Sequence, residues 1–198
     1  MKKIFLHYWK NNRGLAAIEF AFVLPIMLSM LIGLVELSNA LGLRADVINM
    51  ASTAADLIAD EKTATGADMD NVFNALSAML YGYSTVDSGN NSLVTITISS
   101  VIDGGAGQSP KVAWSCSLRG TALTKGSTSF SPSLPTGTIT AGDGTSVIWA
   151  KITYKYTSPL SYFVTGTQTW TNNFYLKPRR VLQIPYSGTP TAPATCNS

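Results

Sequence analysis

An uncharged stretch of sixteen residues near the N-terminus, Phe20 to Val35, sets the strongest constraint on how this chain can fold. It lies between Glu19 and Glu36, and at about 1.5 Å rise per residue a helix would separate these carboxylates by roughly 25 Å. Flanking residues as far as Leu43 can extend it to match the roughly 30 Å hydrocarbon core of a bilayer. The stretch therefore predicts a membrane-spanning helix over about residues 16–40.

Four basic residues precede this stretch, with no acidic residue among them: Lys2, Lys3, Lys10 and Arg13. By the positive-inside rule this end is cytoplasmic, so we expect the bulk of the chain to lie outside the cytoplasm. Removal of residues 1–14 would take away these four charges and change the formal side-chain charge from +3 to −1. The remaining basic cluster, 177–180, is too short for a phosphate track, and we expect no nucleic-acid binding.

A short motif stands at the start of the apolar stretch: Gly14, four residues without charge, Glu19 and Phe20. A lone carboxylate near the start of a membrane helix is costly and marks function by default. The motif resembles the processing site of type IV pilins, and more narrowly that of the TadE-like minor pseudopilins of the tight-adherence (Tad) system. This resemblance implies that a prepilin peptidase cuts after Gly14, between the flanking Arg13 and the new N-terminal residue Leu15. Glu19 would then be the fifth residue.

The same resemblance implies a role in assembling an adhesive pilus. In that family the glutamate carboxylate pairs with the free amine of a neighbouring subunit, so Glu19 is the expected assembly residue. The implied partners are the prepilin peptidase, other pseudopilins, the major pilin, the inner-membrane assembly platform and membrane lipid. The implied location is a single pass through the inner membrane, with the pilus itself left open as a further location.

Helical periodicity continues beyond the membrane stretch, because apolar residues recur at spacings of three, four and seven up to Ile58. We therefore expect four segments along the chain. They are a leader (1–14), an N-terminal helix that is first transmembrane and then amphipathic (15–60), an extracytoplasmic head (61–184) and a flexible tail (185–198).

The head is predicted to begin with a second amphipathic helix at about 68–81, with Thr65 or Asp68 as its cap. The period then changes to two, and four strands are expected near 94–102, 112–118, 147–156 and 167–175. Strands joined by Gly/Ser/Pro loops favour an antiparallel sheet with one face on the N-terminal helix. The fold class is therefore α+β, and the resemblance implies a pilin-like arrangement.

Cys116 and Cys196 are the two cysteines of the chain. In an oxidising compartment an even pair suggests a disulfide, which would close a loop of about eighty residues and pin the tail. The alternative is two unpaired thiols, one on a strand and one near a frayed end.

Enzymatic chemistry has little support. The single histidine, His7, lies in the predicted leader, so the mature chain would offer no histidine for a triad or a zinc site. No glycine motif that cradles phosphate opens a helix. We expect no enzyme activity, no cofactor and no metal.

Two other interpretations remain open. Ser38, Asn39 and Ala40 could end an ordinary secretory signal, and signal peptidase would then release a periplasmic binding or adhesion domain after Ala40. Alternatively, the chain is an uncleaved, membrane-anchored scaffold of a secretion system that retains Met1.

Overall fold

The computed structural model of the chain describes residues 15–129, 134–158, 167–191 and 193–198. These residues contain two helices and seven strands. The elements are α1 (Leu15–Ala59), β1 (Ala64–Thr65), α2 (Gly66–Met79), β2 (Val94–Ile102), β3 (Lys111–Leu118), β4 (Ser146–Thr157), β5 (Thr167–Leu176), β6 (Tyr186–Ser187) and β7 (Ala194–Asn197). The chain forms two compact units that divide between Leu41 and Gly42.

Helix α1 runs for 45 residues, as the continuous periodicity predicts. Pro25 lies inside it and removes one backbone donor, which membrane helices tolerate. The boundary between the two units lies within α1, whereas the sequence prediction began the head at residue 61. The difference arises because the later turns of α1 bury their apolar stripe in the second unit. These buried side chains are Leu43, Val47, Met50, Ala51, Ala54, Ala55 and Ile58.

Helix α2 begins at a capping box, two residues before the start we predicted. The Thr65 hydroxyl accepts a hydrogen bond from the Asp68 amide at 3.2 Å, and the Asp68 carboxylate accepts one from the Thr65 amide at 2.9 Å. Two backbone donors of the first turn are thereby satisfied. Met69, Val72, Phe73 and Leu76 form the buried face of this helix.

Replacing Thr65 by alanine should lower the free energy of unfolding by about 1 kcal/mol, since the helix loses its N-cap acceptor. Denaturant unfolding of the detergent-solubilised protein, followed by tryptophan fluorescence, would measure the loss. Thr63→Ala is the matched control, because it removes the same kind of hydroxyl from an exposed residue that lies two positions before the cap and outside α2. Equal stability of the two variants would contradict the capping role.

Five strands form one antiparallel sheet in the order β5-β4-β2-β3-β7. The alternation expected for β2 is present, since Val94, Ile96 and Ile98 are buried while Thr95 and Thr97 between them are half-buried. The register aligns Ile98 of β2 with buried residues of both neighbours, Cys116 of β3 and Ala150 of β4. The apolar face of this sheet and the stripes of both helices make up the core of the second unit. The α+β prediction is confirmed.

The opposite face of the sheet is also covered in part, which the alternation of small polar residues did not suggest. The hydroxyls of Ser99 and Ser115 bond each other at 2.8 Å, and the amide of Leu123 donates to Ser115 at 3.0 Å. Trp149 on this face is only 2% exposed and stacks on Tyr175 with ring centroids 6.0 Å apart. The loop after β3 therefore lies on this face of the sheet and provides a donor to the buried Ser115 hydroxyl.

One carboxylate holds two glycine-rich loops at the far end of β2. Asp103 accepts hydrogen bonds from the amides of Gly105 (3.0 Å), Gly142 (2.7 Å) and Gly144 (3.4 Å). These bonds, that from Gly105 foremost, hold the pKa of the Asp103 carboxyl below its usual range because they stabilise its charged form. The loop before β4 is thereby tied to the loop after β2.

The C-terminal segment differs from the flexible tail predicted for 185–198. β6 pairs in parallel with β1, and β7 pairs antiparallel with β3. Between them the Thr191 amide and hydroxyl both donate to the carboxylate of Asp70, the hydroxyl at 2.7 Å. Cys196 lies directly opposite Cys116 and is joined to it by a disulfide, with the Cα atoms 4.0 Å apart. Contacts with distant residues order this segment, and Cys196 was the only indication of them in its local sequence.

Candidate membrane and assembly site

The N-terminal half of α1 exposes apolar side chains, on every side as far as residue 31. Beyond that point Ile32 and Ala40 are half-buried and Glu36 is only 6% exposed. Phe22 is 75% exposed and Met30 is 70% exposed. The full set of exposed large apolar residues in this part is Ile18, Phe20, Phe22, Val23, Leu24, Ile26, Met27, Leu28, Met30, Leu31, Leu34, Val35, Leu37 and Leu41. A helix that is apolar all round requires lipid or other apolar helices around it.

Within the described residues, one helix has the length and composition to cross a membrane. It spans Ala16–Ala59, and its most apolar 18-residue window has a mean hydropathy of 2.3 with no residue buried. The hydroxyl of Ser29, inside the apolar stretch, donates to the Ile26 carbonyl at 2.8 Å. Because this local bond satisfies the hydroxyl without water, Ser29 does not oppose burial of the helix in lipid.

Glu19 lies one helical turn after Leu15, a rise of about 6 Å. It is exposed, as are its neighbours Ile18 (59%) and Phe20 (58%). No other residue between 15 and 35 carries a charge. A single carboxylate therefore stands on an otherwise apolar helical surface.

Two of the predicted processing residues, Arg13 and Gly14, lie outside the described residues. Leu15, on the other side of the expected cut, is the first residue of α1. The structure thus provides the helical frame for Leu15, Glu19 and Phe20.

At the other end of α1, two consecutive arginines bind the last turn. The Arg179 amide donates to the Ala59 carbonyl at 2.9 Å, and its guanidinium pairs with Asp56. Arg180 pairs with Asp60 at 3.0 Å. Asp56 lies in the last turn of α1, and Asp60 is the residue after the helix, with its amide donating to the Asp56 carbonyl at 3.3 Å.

The role of these arginines was missed from the sequence, where they were noted only as part of the basic cluster 177–180. They supply the positive charge that the helix C-terminus lacks in its own last turn. Their ion pairs are about half exposed, so each is worth at most about 1 kcal/mol.

The described part of the head offers few groups for catalysis. No group of three or more His, Cys, Asp or Glu side chains among the described residues could hold a metal ion. A surface cleft of about 820 Å³ has Val112, Trp114 and Ile184 in its floor and Lys111 and Lys125 at its rim. Its lining holds no histidine, cysteine or carboxylate side chain that could act with the lysines.

These features define a class of protein: an α+β head that continues from a long apolar N-terminal helix with one carboxylate near its start. Residues 14–56, the segment that carries the motif and most of α1, match the family model described as "TadE-like protein". That model describes a family of pilus assembly components, and the apolar helix fits a membrane anchor. No curated protein and no solved structure matches the chain.

Proposed function

We propose that this chain is a minor pseudopilin that takes part in assembling a Tad-type adhesive pilus and is matured by a prepilin peptidase that cuts after Gly14. The observation that carries the proposal is the position of Glu19, a lone exposed carboxylate on an otherwise apolar surface of α1. A carboxylate at the centre of a membrane helix costs about 2.5–3.5 kcal/mol, and one nearer the end costs less. A helix that served only as a membrane anchor would gain nothing from the cost of burying this carboxylate.

Assembly gives the carboxylate a partner. Cleavage after Gly14 creates a free amine on Leu15, one turn before Glu19. The Leu15 amine of a neighbouring subunit can pair with Glu19 of this one, and the two charges are then removed from water together. A buried pair of this kind contributes little net stability but can specify register, because a misaligned subunit would leave both charges unpaired. The exposed apolar side chains of α1 supply the nonspecific part of the contact.

The remaining partners and the location follow from this role. The prepilin peptidase and the inner-membrane platform act on the anchored subunit, and other pseudopilins and the major pilin contact its helix. The N-terminus is cytoplasmic and the head periplasmic, in keeping with the basic residues before the motif. The proposal requires no enzyme activity, cofactor, metal or nucleic acid.

The helical state of residue 40 weighs against release by signal peptidase. Ala40 lies within α1, and Leu43, three residues further on, is fully buried. Proteases cut most readily at exposed and poorly ordered segments, so a bond inside a helix next to the core is a poor substrate.

The N-terminal sequence and intact mass of the protein from membranes test the proposal. When a prepilin peptidase is co-expressed, the protein should begin at Leu15, and Gly14→Val should abolish cleavage and retain Met1. Gly33→Ala is the control, because a Cβ at Gly33 meets no atom within 4 Å and the variant should be cut normally. A wild-type protein that begins at Leu41 or Met1 would overturn the proposed maturation.

A further inference from the structure

The loop that follows α2 presents aromatic and apolar side chains to solvent. We refer to residues 81–86, Tyr81 to Val86, as the aromatic loop. Tyr81 is 94% exposed and Val86 is 38% exposed. Gly82 between the two tyrosines has a φ of +93°, a conformation that other residues rarely adopt, and it turns the chain there.

Three contacts fix the position of this loop within the second unit. A side-chain carbon on Gly42 would lie 3.5 Å from the Tyr83 hydroxyl. The Tyr154 hydroxyl donates to the Ser84 carbonyl at 2.6 Å, and Arg119 donates to the Thr85 carbonyl at 3.3 Å. The loop therefore lies at the end of the head where the chain enters it at Gly42.

The two Arg179 contacts mark the opposite end of the head. Arg179 binds Ala59, at the C-terminus of α1, seventeen residues after Gly42. At 1.5 Å per residue the two positions are roughly 25 Å apart along the helix. Leu182 follows in the same segment, is 70% exposed and accepts a hydrogen bond from the Ser146 amide at the start of β4. Tyr81 and Leu182 are thus exposed apolar residues at opposite ends of one unit.

Exposed large apolar side chains are dense on α1 as far as Leu41, although Glu36 among them is buried, and beyond Leu41 only Ile48 and Leu57 of the helix belong to this set. Leu41 is 54% exposed, and Leu43 is the first fully buried residue of the helix. One residue adds about 1.5 Å along a helix, so Gly42 stands at the edge of any bilayer that covers this surface. Tyrosine is enriched at that depth, because its ring is apolar and its hydroxyl can reach the headgroups.

We propose that the aromatic loop docks on the lipid interface of the membrane that holds α1. The ligand is the headgroup and upper acyl region of the bilayer, which the ring of Tyr81 and the side chain of Val86 enter. The inference rests on the membrane-anchored state in the proposed function. It adds a second attachment of the subunit to the membrane, and a subunit that leaves for a fibre has to release it.

Quenching by spin-labelled lipid tests this docking on the full-length chain. Single cysteines are introduced by Tyr81→Cys, Val86→Cys, Leu182→Cys and Leu34→Cys, and each is labelled without reductant with a thiol-reactive nitrobenzoxadiazole dye. The Cys116–Cys196 disulfide leaves only the introduced thiol reactive. The proteins are reconstituted in phosphatidylcholine vesicles with and without phosphatidylcholine that carries a nitroxide on the upper acyl chain.

The dye at position 81 or 86 should lose most of its emission in nitroxide vesicles, whereas the dye at 182 should keep it. The dye at 34, which is 68% exposed on α1, reports whether the helix spans the bilayer. Emission retained at 81 and 86 but lost at 34 would overturn the docking while leaving the anchor intact. Emission retained at all four positions would show that α1 does not span the bilayer. That result would contradict the membrane-anchored state on which the proposed function rests.

Discussion

Replacing Glu19 by alanine is expected to abolish pilus formation while the protein still inserts into the membrane. Loss of the carboxylate removes a charge from a membrane helix, which makes insertion more favourable. Its interaction with the helix dipole is worth only about 0.3–1 kcal/mol, so the fold of the head should not change. A neighbouring subunit, however, would find no partner for its Leu15 amine, and an unpaired buried charge is strongly destabilising. Electron microscopy of surface pili, with membrane fractionation of the same cells, gives both readouts.

Two further substitutions separate charge from shape at this position. Glu19→Gln keeps the size and hydrogen-bonding capacity but loses the charge, and should fail like alanine. Glu19→Asp keeps the charge on a shorter side chain and should restore a part of piliation. Normal pili from the alanine variant would remove Glu19 from the assembly mechanism. If the Glu19→Asp variant is the only one that fails to insert into the membrane, its loss of pili reflects a folding defect of that variant.

The sequence predicted those elements whose stability is encoded in a local period. Helix α2 and strands β2 to β5 occur where the apolar spacing placed them, within a few residues at each end. The apolar residues of β2 are buried, as alternation requires. Each such element buries one face, and the apolar residues of that face recur at a regular spacing along the sequence.

The short elements could not be predicted in this way. β6 has two residues and β7 has four, and neither shows an apolar alternation. They form because distant groups hold them, such as Asp70 for Thr191 and β3 for β7. The two cysteines gave the one sequence indication that the tail returns to the sheet, and the bridge joins directly opposed residues.

The candidate site was predicted as a motif, whereas its surroundings depend on packing. Glu19 and the apolar run are adjacent in the chain, so the sequence alone brings them together. The aromatic loop is different. Tyr83 lies beside Gly42 although forty-one positions separate them, and only the packing of the second unit makes them neighbours.

Removal of the Cys116–Cys196 bridge is expected to have the largest effect on the stability of the head. The bridge closes a loop with a sequence separation of 80 residues. In the chain-entropy model a loop of this size is worth roughly 4–5 kcal/mol, an upper value since the mechanism of stabilisation is disputed. That is several times the effect expected for the Thr65 cap. Reduction of the wild-type protein should therefore shift its denaturant midpoint strongly to lower concentration.

Part of this loss should be local. β7 meets the sheet through four residue pairs with β3, and without the bridge so short an edge strand can detach while the rest remains folded. The amides of Thr195 and Asn197 should then exchange with solvent faster, whereas those of central β2 keep their protection. Detachment before global unfolding would also reduce the measured change below the value of the entropy model, because the unfolding unit no longer includes β7.

Reduction and substitution together distinguish the bridge from the packing of its sulfurs. Cys116 is fully buried, and Cys196 accepts a hydrogen bond from the Tyr186 hydroxyl at 3.0 Å, so a Cys116→Ala/Cys196→Ala variant loses packing as well as the covalent link. Reduced wild-type protein loses the link alone and should lie between oxidised protein and the variant in stability. If reduced and oxidised proteins unfold at the same denaturant concentration and β7 stays protected, the cross-link contributes nothing and the noncovalent contacts of the segment suffice to hold it.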